Sequence, residues 1–165
     1  MSRRVVISLL VVMGFVAAAC TSGGQPPVTD TITQQQAAQQ VQDNIHTTAA
    51  QLPATAKLEQ QLTNFTPCDD PTDNGPKGRV TAGSTYQIHE LPTAQYPHYF
   101  DTLRTWWTQH DYHVLEDQNR GPLDMYLWVE DTKDGFRMSL QSNPTGGLFL
   151  TSSSPCVWPN GKPQG

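Results

Sequence analysis

The chain has 165 residues, enough for about one domain, and carries 15 acidic against 10 basic residues, a formal net charge of −5. The length excludes a large multidomain enzyme. The acidic balance excludes a basic nucleic-acid-binding module, because such a surface repels phosphate backbones, so no nucleic-acid partner is expected. Of the 13 aromatic residues after position 19, twelve lie at or beyond Tyr86, which places the core-forming material in the second half of the chain.

The N-terminus has the pattern of a secretory signal peptide over residues 1–19. Arg3 and Arg4 form its charged segment, and the apolar run of residues 5–19 is shorter than the roughly 20 residues that span a bilayer. Small residues then precede Cys20, as at a lipoprotein cleavage site. We predict export and acylation of Cys20 by palmitate-type chains. The general secretory and twin-arginine routes both stay open, and an unlipidated secreted protein is the alternative.

Residues 20–33 are rich in Gly, Ser, Thr and Pro, which predicts a flexible tether before a single domain at residues 34–165. Acyl chains on Cys20 would supply about 0.8 kcal/mol of membrane affinity per buried CH₂ group. The expected location is therefore the extracytoplasmic side of the cell membrane, with the membrane itself as a partner through the lipid anchor.

With Cys20 assigned to lipid, Cys68 and Cys156 remain as one pair. In an oxidising exterior we expect a disulfide, which would close a loop of about 88 residues and contribute on the order of 4–5 kcal/mol. A catalytic thiol and a metal-binding pair are the alternatives. Neither cysteine has a CxxC partner or a histidine nearby in sequence, so the disulfide is favoured.

The first half of the domain predicts one helix and two strands. Thr33 and Gln36 fit a capping box, and apolar residues recur at helical spacing until Pro53. Residues 56–65 fit helix or strand, with a strand favoured, and residues 79–91 alternate as a strand does. Between the two strands lies an acidic loop at residues 69–74. Its oxygen ligands could hold a cation, but the order differs from an EF-hand loop, and turn formation is the favoured interpretation.

The second half predicts an aromatic helix followed by four strands. Residues 96–110 carry Pro97 in the first turn and one broad apolar face. The strand segments, joined by tight turns, are residues 112–115, 123–130, 136–141 and 148–150. The expected fold class is α+β: a two-layer sandwich in which an antiparallel meander sheet carries one or two helices on one face, closed by one disulfide.

Alternation within residues 123–130 puts aliphatic side chains on one side of the strand and Tyr126 and Trp128 on the other. If the helices cover the aliphatic side, Tyr126, Trp128 and Phe149 share the open side. Grouped aromatics there can mark a binding face for an envelope protein, a peptide or a glycan. The alternative is that the tether, residues 66–78 or the tail carrying Trp158 folds over them.

The sequence contains no nucleophile elbow, zincin helix, phosphate-binding loop or dinucleotide fingerprint. His110 and His113, with Asp111 and Glu116, form a weak metal candidate, because His110 ends a helix and His113 enters a strand. We therefore expect no catalytic residue, no metal and no cofactor. A small extracytoplasmic hydrolase or metal-dependent enzyme is the alternative to a non-catalytic binding or assembly module of the cell envelope.

Two cysteine-centred motifs are distinctive: CDDPTDNGP at residues 68–76 and SSPCVWP at residues 153–159. Together with YFD at 99–101 and DGFR at 134–137, they resemble a group of uncharacterised small lipoproteins of actinobacteria. The resemblance covers roughly residues 36–163. It implies the envelope of a high-GC Gram-positive cell and supplies no substrate or catalytic residues.

Overall fold

The computed structural model describes residues 29–68 and 76–163. The expected signal peptide at 1–19, Cys20, most of the expected tether and the acidic loop at 69–74 lie outside the described residues. Within them the chain forms two α-helices and six strands. Their bounds are α1 Gln34–Ala49, β1 Lys57–Pro67, β2 Val80–His89, α2 Tyr96–Gln109, β3 Tyr112–Gly121, β4 Asp124–Asp131, β5 Arg137–Ser142 and β6 Leu148–Ser153.

The six strands form one antiparallel sheet in the order β1-β2-β6-β5-β4-β3. Strands β3 to β6 are consecutive neighbours, which confirms the predicted meander. Strand β6 then pairs with β2, so that the β1–β2 hairpin completes the sheet. Helix α2 connects β2 to β3 at the opposite edge of the sheet. With two helices and one disulfide, the arrangement confirms the α+β sandwich.

Both helices pack on the same side of the sheet. Helix α1 contacts β2 and β6, and α2 contacts β3 and β4. Helix α1 starts with the predicted capping box: Gln36 N donates to Thr33 Oγ1 at 3.2 Å, and Thr33 N donates to Gln36 Oε1 at 2.9 Å. The fully buried side chains that fill the layer between helices and sheet include Ile45, Phe100, Leu103, Trp107, Leu127, Val129, Leu140, Leu148 and Leu150.

The folded domain begins before the predicted boundary at residue 34. Trp158 N donates to Thr31 Oγ1 at 2.8 Å, Trp158 Nε1 donates to Thr29 O at 3.1 Å, and Thr31 N donates to Gly161 O at 2.9 Å. We call these four residues the terminal clasp. Since the clasp orders residues 29–33 against the C-terminal tail, the end of the predicted tether belongs to the domain.

The predicted disulfide joins Cys68, just after β1, to Cys156, just after β6, with their Cα atoms 6.1 Å apart. Next to it, Val157 forms an isolated antiparallel bridge with Val80 at the start of β2. The C-terminal segment is therefore fastened to the β1–β2 end of the sheet by one covalent link and two backbone hydrogen bonds.

Strand β3 is longer than the predicted segment 112–115: it has ten residues and pairs with β4 along its length. In the described part of the chain, neither α1 nor α2 is long and apolar enough to cross a membrane.

Candidate binding face of the sheet

The side of the sheet turned away from the helices, which we call the outward face, carries alternate residues of all six strands. Register places Trp128 beside Ser139, Ser139 beside Thr151, and Thr151 beside Thr85. These side chains stay partly exposed, whereas the inward residues between them are buried. The outward face is therefore the solvent side of a sheet whose other side is filled by core along β2, β6, β5 and β4.

The three aromatics predicted for a binding face lie together on the outward face. Tyr126 is in register with Gln141, which is in register with Phe149, and Trp128 follows Tyr126 along β4. All three are half-buried. Trp158, whose tail segment was one of the alternative covers for these aromatics, lies 2% exposed in the terminal clasp instead. Ligand binding by these aromatics stays a prediction.

Trp128 is covered by a neighbouring cation. The guanidinium carbon of Arg137 lies 5.2 Å from the centre of the Trp128 ring, within cation–π range. Arg137 Nε also donates to Glu130 Oε2 at 2.7 Å, which holds the guanidinium in place. Because that ring face is occupied, Trp128 packs against Arg137 rather than offering a free stacking platform.

Tyr126 borders a polar cleft of about 270 Å³ near the β3–β4 turn. Burial raises the pKa of Tyr126, the negative charge of Glu116 raises it further, and a hydrogen bond with Ser139 opposes the shift. The phenol therefore stays neutral at ordinary pH. Gln118 donates to Glu116, and Arg120 donates to Gln118. Three polar side chains of this cleft thus partner one another.

A second cleft, of about 340 Å³, runs along β2 between β1 and β6. Gly83 forms its floor, in register with Asn64 on one side and Ser153 on the other. We call this cleft the Gly83 trough. None of its described lining residues is charged. Its outward side chains are Leu62, Asn64, Thr66, Thr81, Thr85, Thr151 and Ser153.

Sequence reasoning did not find the Gly83 trough. Its local signal is a small or hydroxyl residue at every second position: Thr81, Gly83 and Thr85 in β2, and Thr151 and Ser153 in β6. The trough exists only because these two strands are neighbours. Their contact is marked by Thr85 Oγ1 and Thr151 Oγ1, which lie 3.0 Å apart.

In the described part of the chain, the residues of the weak metal candidate around His110 and His113 do not form a metal site. The ring of His110 stacks on Trp106 with centroids 4.4 Å apart, and its Nδ1 donates to Trp106 O at 2.7 Å. Asp111 pairs with Lys133, which lowers the pKa of its carboxyl group. Among residues 29–68 and 76–163, no three His, Cys, Asp or Glu side chains form a group suited to a metal ion.

No protein-family model, curated protein or solved structure matches the chain significantly.

Proposed function

We propose that the protein is a cell-envelope lipoprotein, anchored through Cys20 to the extracytoplasmic side of the cell membrane, whose domain binds a ligand without catalysis. The observation that carries the binding role is the outward face: it gathers three half-buried aromatics and the Gly83 trough, while the opposite side of the four central strands is filled by core.

The charges of the outward face support binding rather than catalysis. Glu130 is paired with Arg137, and Glu116 accepts a hydrogen bond from Gln118. A general acid–base pair needs groups directed at a common reacting atom. These carboxylates are instead directed at their own neighbours in the sheet.

The anchor is tested by metabolic labelling of the full-length chain with a palmitate analogue. We expect label on the wild type and none on Cys20→Ala, with the variant released from the membrane fraction. Label that persists on Cys20→Ala, or an unlabelled wild type, would contradict the anchor.

The binding role is tested by photo-crosslinking in cells with the full-length chain. Benzoylphenylalanine at position 141 probes the exposed outward face, and the same group at position 39, an exposed glutamine of α1, is the matched control. We expect envelope adducts from position 141 and not from position 39. Equal yields at the two positions, or no adduct at 141, would contradict a binding role for this face.

A further inference from the structure

We propose that the Gly83 trough is the ligand subsite of the outward face and that it holds an uncharged glycan chain. This rests on the proposed function, because it names the ligand class for the same face.

Gly83 keeps the floor of the trough open. Gly83 sits inside a strand that is hydrogen-bonded on both sides, where glycine is unfavourable. It does not have the positive φ that requires glycine elsewhere in the described chain. A Cβ atom added there would meet Asn64 Oδ1 at 3.4 Å and Ser152 O at 3.9 Å, ordinary contact distances. Neither backbone nor packing requires glycine at this position, and its physical effect is to leave the floor of the trough open, as a ligand there would need.

The walls of the trough carry hydroxyl and amide groups. Hydroxyl groups of Ser and Thr both donate and accept hydrogen bonds, and the Asn64 amide does the same through its two ends. A sugar presents the same kind of group at every ring. The lining has no charged side chain to hold an anionic polymer, and the chain as a whole carries a net charge of −5.

Neither an added peptide strand nor a second copy of the chain fits the trough. An extended peptide that adds to a sheet needs free backbone groups, and those of β2 are taken by β1 and β6. A second copy of the chain would need an apolar patch, and Leu62 is the one large apolar outward side chain in the trough lining. The remaining occupant is a neutral, hydroxyl-rich chain that contacts only the side chains of the trough.

Phe149 extends the subsite. It lies two residues before Thr151 on β6, so its ring is about 7 Å along the same face. Its ring rests on Gly147, where an added Cβ would come 2.7 Å from Phe149 Cε2. Because Trp128 is occupied by Arg137, Phe149 is the aromatic placed to stack on a sugar ring next to the trough.

The test measures binding of the full-length purified protein by calorimetry. The uncharged probes are chitohexaose, maltohexaose and cellohexaose; the comparison probes are an oligogalacturonate and an unstructured hexapeptide. We expect at least one uncharged glycan to bind and the comparison probes not to bind. Gly83→Val, which fills the floor, should weaken that binding at least about tenfold. Thr151→Val should weaken it about three- to tenfold. Thr105→Val, on the exposed side of α2, should leave it unchanged.

Misfolding is separated from loss of the subsite by the thermal midpoint. Valine favours strands, so Gly83→Val should unfold at or above the wild-type temperature. Failure of all three uncharged glycans, binding by the oligogalacturonate or the peptide alone, self-association instead of glycan binding, or equal binding by Gly83→Val would each overturn the proposal. Protein adducts from position 141 without glycan binding would overturn the glycan proposal but leave the binding role of the outward face. The absence of both adducts and glycan binding would overturn both proposals.

Discussion

Tyr112, at the start of β3, makes the stability of the folded state depend on pH. Its ring centre lies 6.5 Å from that of Trp106 and 6.4 Å from that of Trp107. Burial first, and then the negative charges of Asp131 and Asp134, raise its pKa to about 12. The folded state therefore keeps this proton at a pH where the unfolded chain releases it.

The consequence is a stability that declines in alkali. The contribution of Tyr112 is fully present below pH 10 and is lost as pH rises towards about 12. We expect the free energy of unfolding to fall over this range by on the order of 1 kcal/mol from Tyr112, after allowance for its partial exposure. Tyr112→Phe should reduce the slope. Urea unfolding followed by tryptophan fluorescence at pH 9 to 12 measures it, and parallel slopes for the two proteins would contradict the assignment.

A second prediction at the residue scale concerns the stability contributed by Gly161 in the terminal clasp. It has φ +76°, and an added Cβ would lie 3.0 Å from Thr31 O in the terminal clasp. We expect Gly161→Ala to lower the free energy of unfolding by about 1–2 kcal/mol. Gly135→Ala is the matched control, because φ is +74° there but the nearest atom is 3.8 Å away. Urea titration compares them; an equal loss in both variants would remove any specific role for the clasp contact.

At the scale of elements, the alternation of apolar and polar residues was sufficient to predict the extent of β4 but not that of β3. Strand β4 separates buried Leu127 and Val129 from Trp128 on the outward face, so period-two alternation located it. Most of β3 is exposed at the edge of the sheet. Its Asp117 accepts from Arg104 Nε of α2 at 2.8 Å. Strand β3 thus contacts α2 through an ion pair, where a buried strand would make an apolar contact. Charged side chains at a sheet edge also hinder pairing with another chain.

Helix α1 depends on its first turn, because its apolar stripe is thin. Removing the Thr33 hydroxyl leaves Gln36 N without its capping acceptor. We expect Thr33→Ala to lower the free energy of unfolding by about 1 kcal/mol. Thr47→Ala, at an exposed position within α1, is the control and should change it by only a few tenths of that. Denaturant titration followed by circular dichroism compares the two; a Thr47→Ala loss as large as that of Thr33→Ala would count against the cap.

At the scale of the whole molecule, the strand order explains why the aromatics were predicted and the trough was not. Tyr126, Trp128 and Phe149 follow from alternation within single strands. The Gly83 trough requires β2 to pair with β6, and Thr85 and Thr151 are 66 residues apart in sequence. Local propensity carries no information on that pairing. The early start of the domain at Thr29 was missed for the same reason, since its partners lie at the other end of the chain.

At this scale, the prediction concerns the stability contributed by the Cys68–Cys156 disulfide. Closing a separation of 88 residues should contribute about 4–5 kcal/mol through the lost freedom of the unfolded chain. We expect the Cys68→Ala/Cys156→Ala double variant, and the reduced wild type, to lose that amount in urea unfolding. Cys20→Ala should unfold like the wild type under oxidising conditions. An undiminished stability after reduction would contradict the structural role of the bond.

The terminal clasp also sets the path of mechanical load. A lipid anchor at Cys20 would pull on the domain at Thr29, beside Trp158. From there the load would pass through the C-terminal segment to the Val157–Val80 bridge and the Cys68–Cys156 bond. If Cys20 is anchored as proposed, tension from the membrane would be received at the covalently closed corner of the sheet. A domain held in this way would stay folded under load applied between the anchor and the ligand of its outward face.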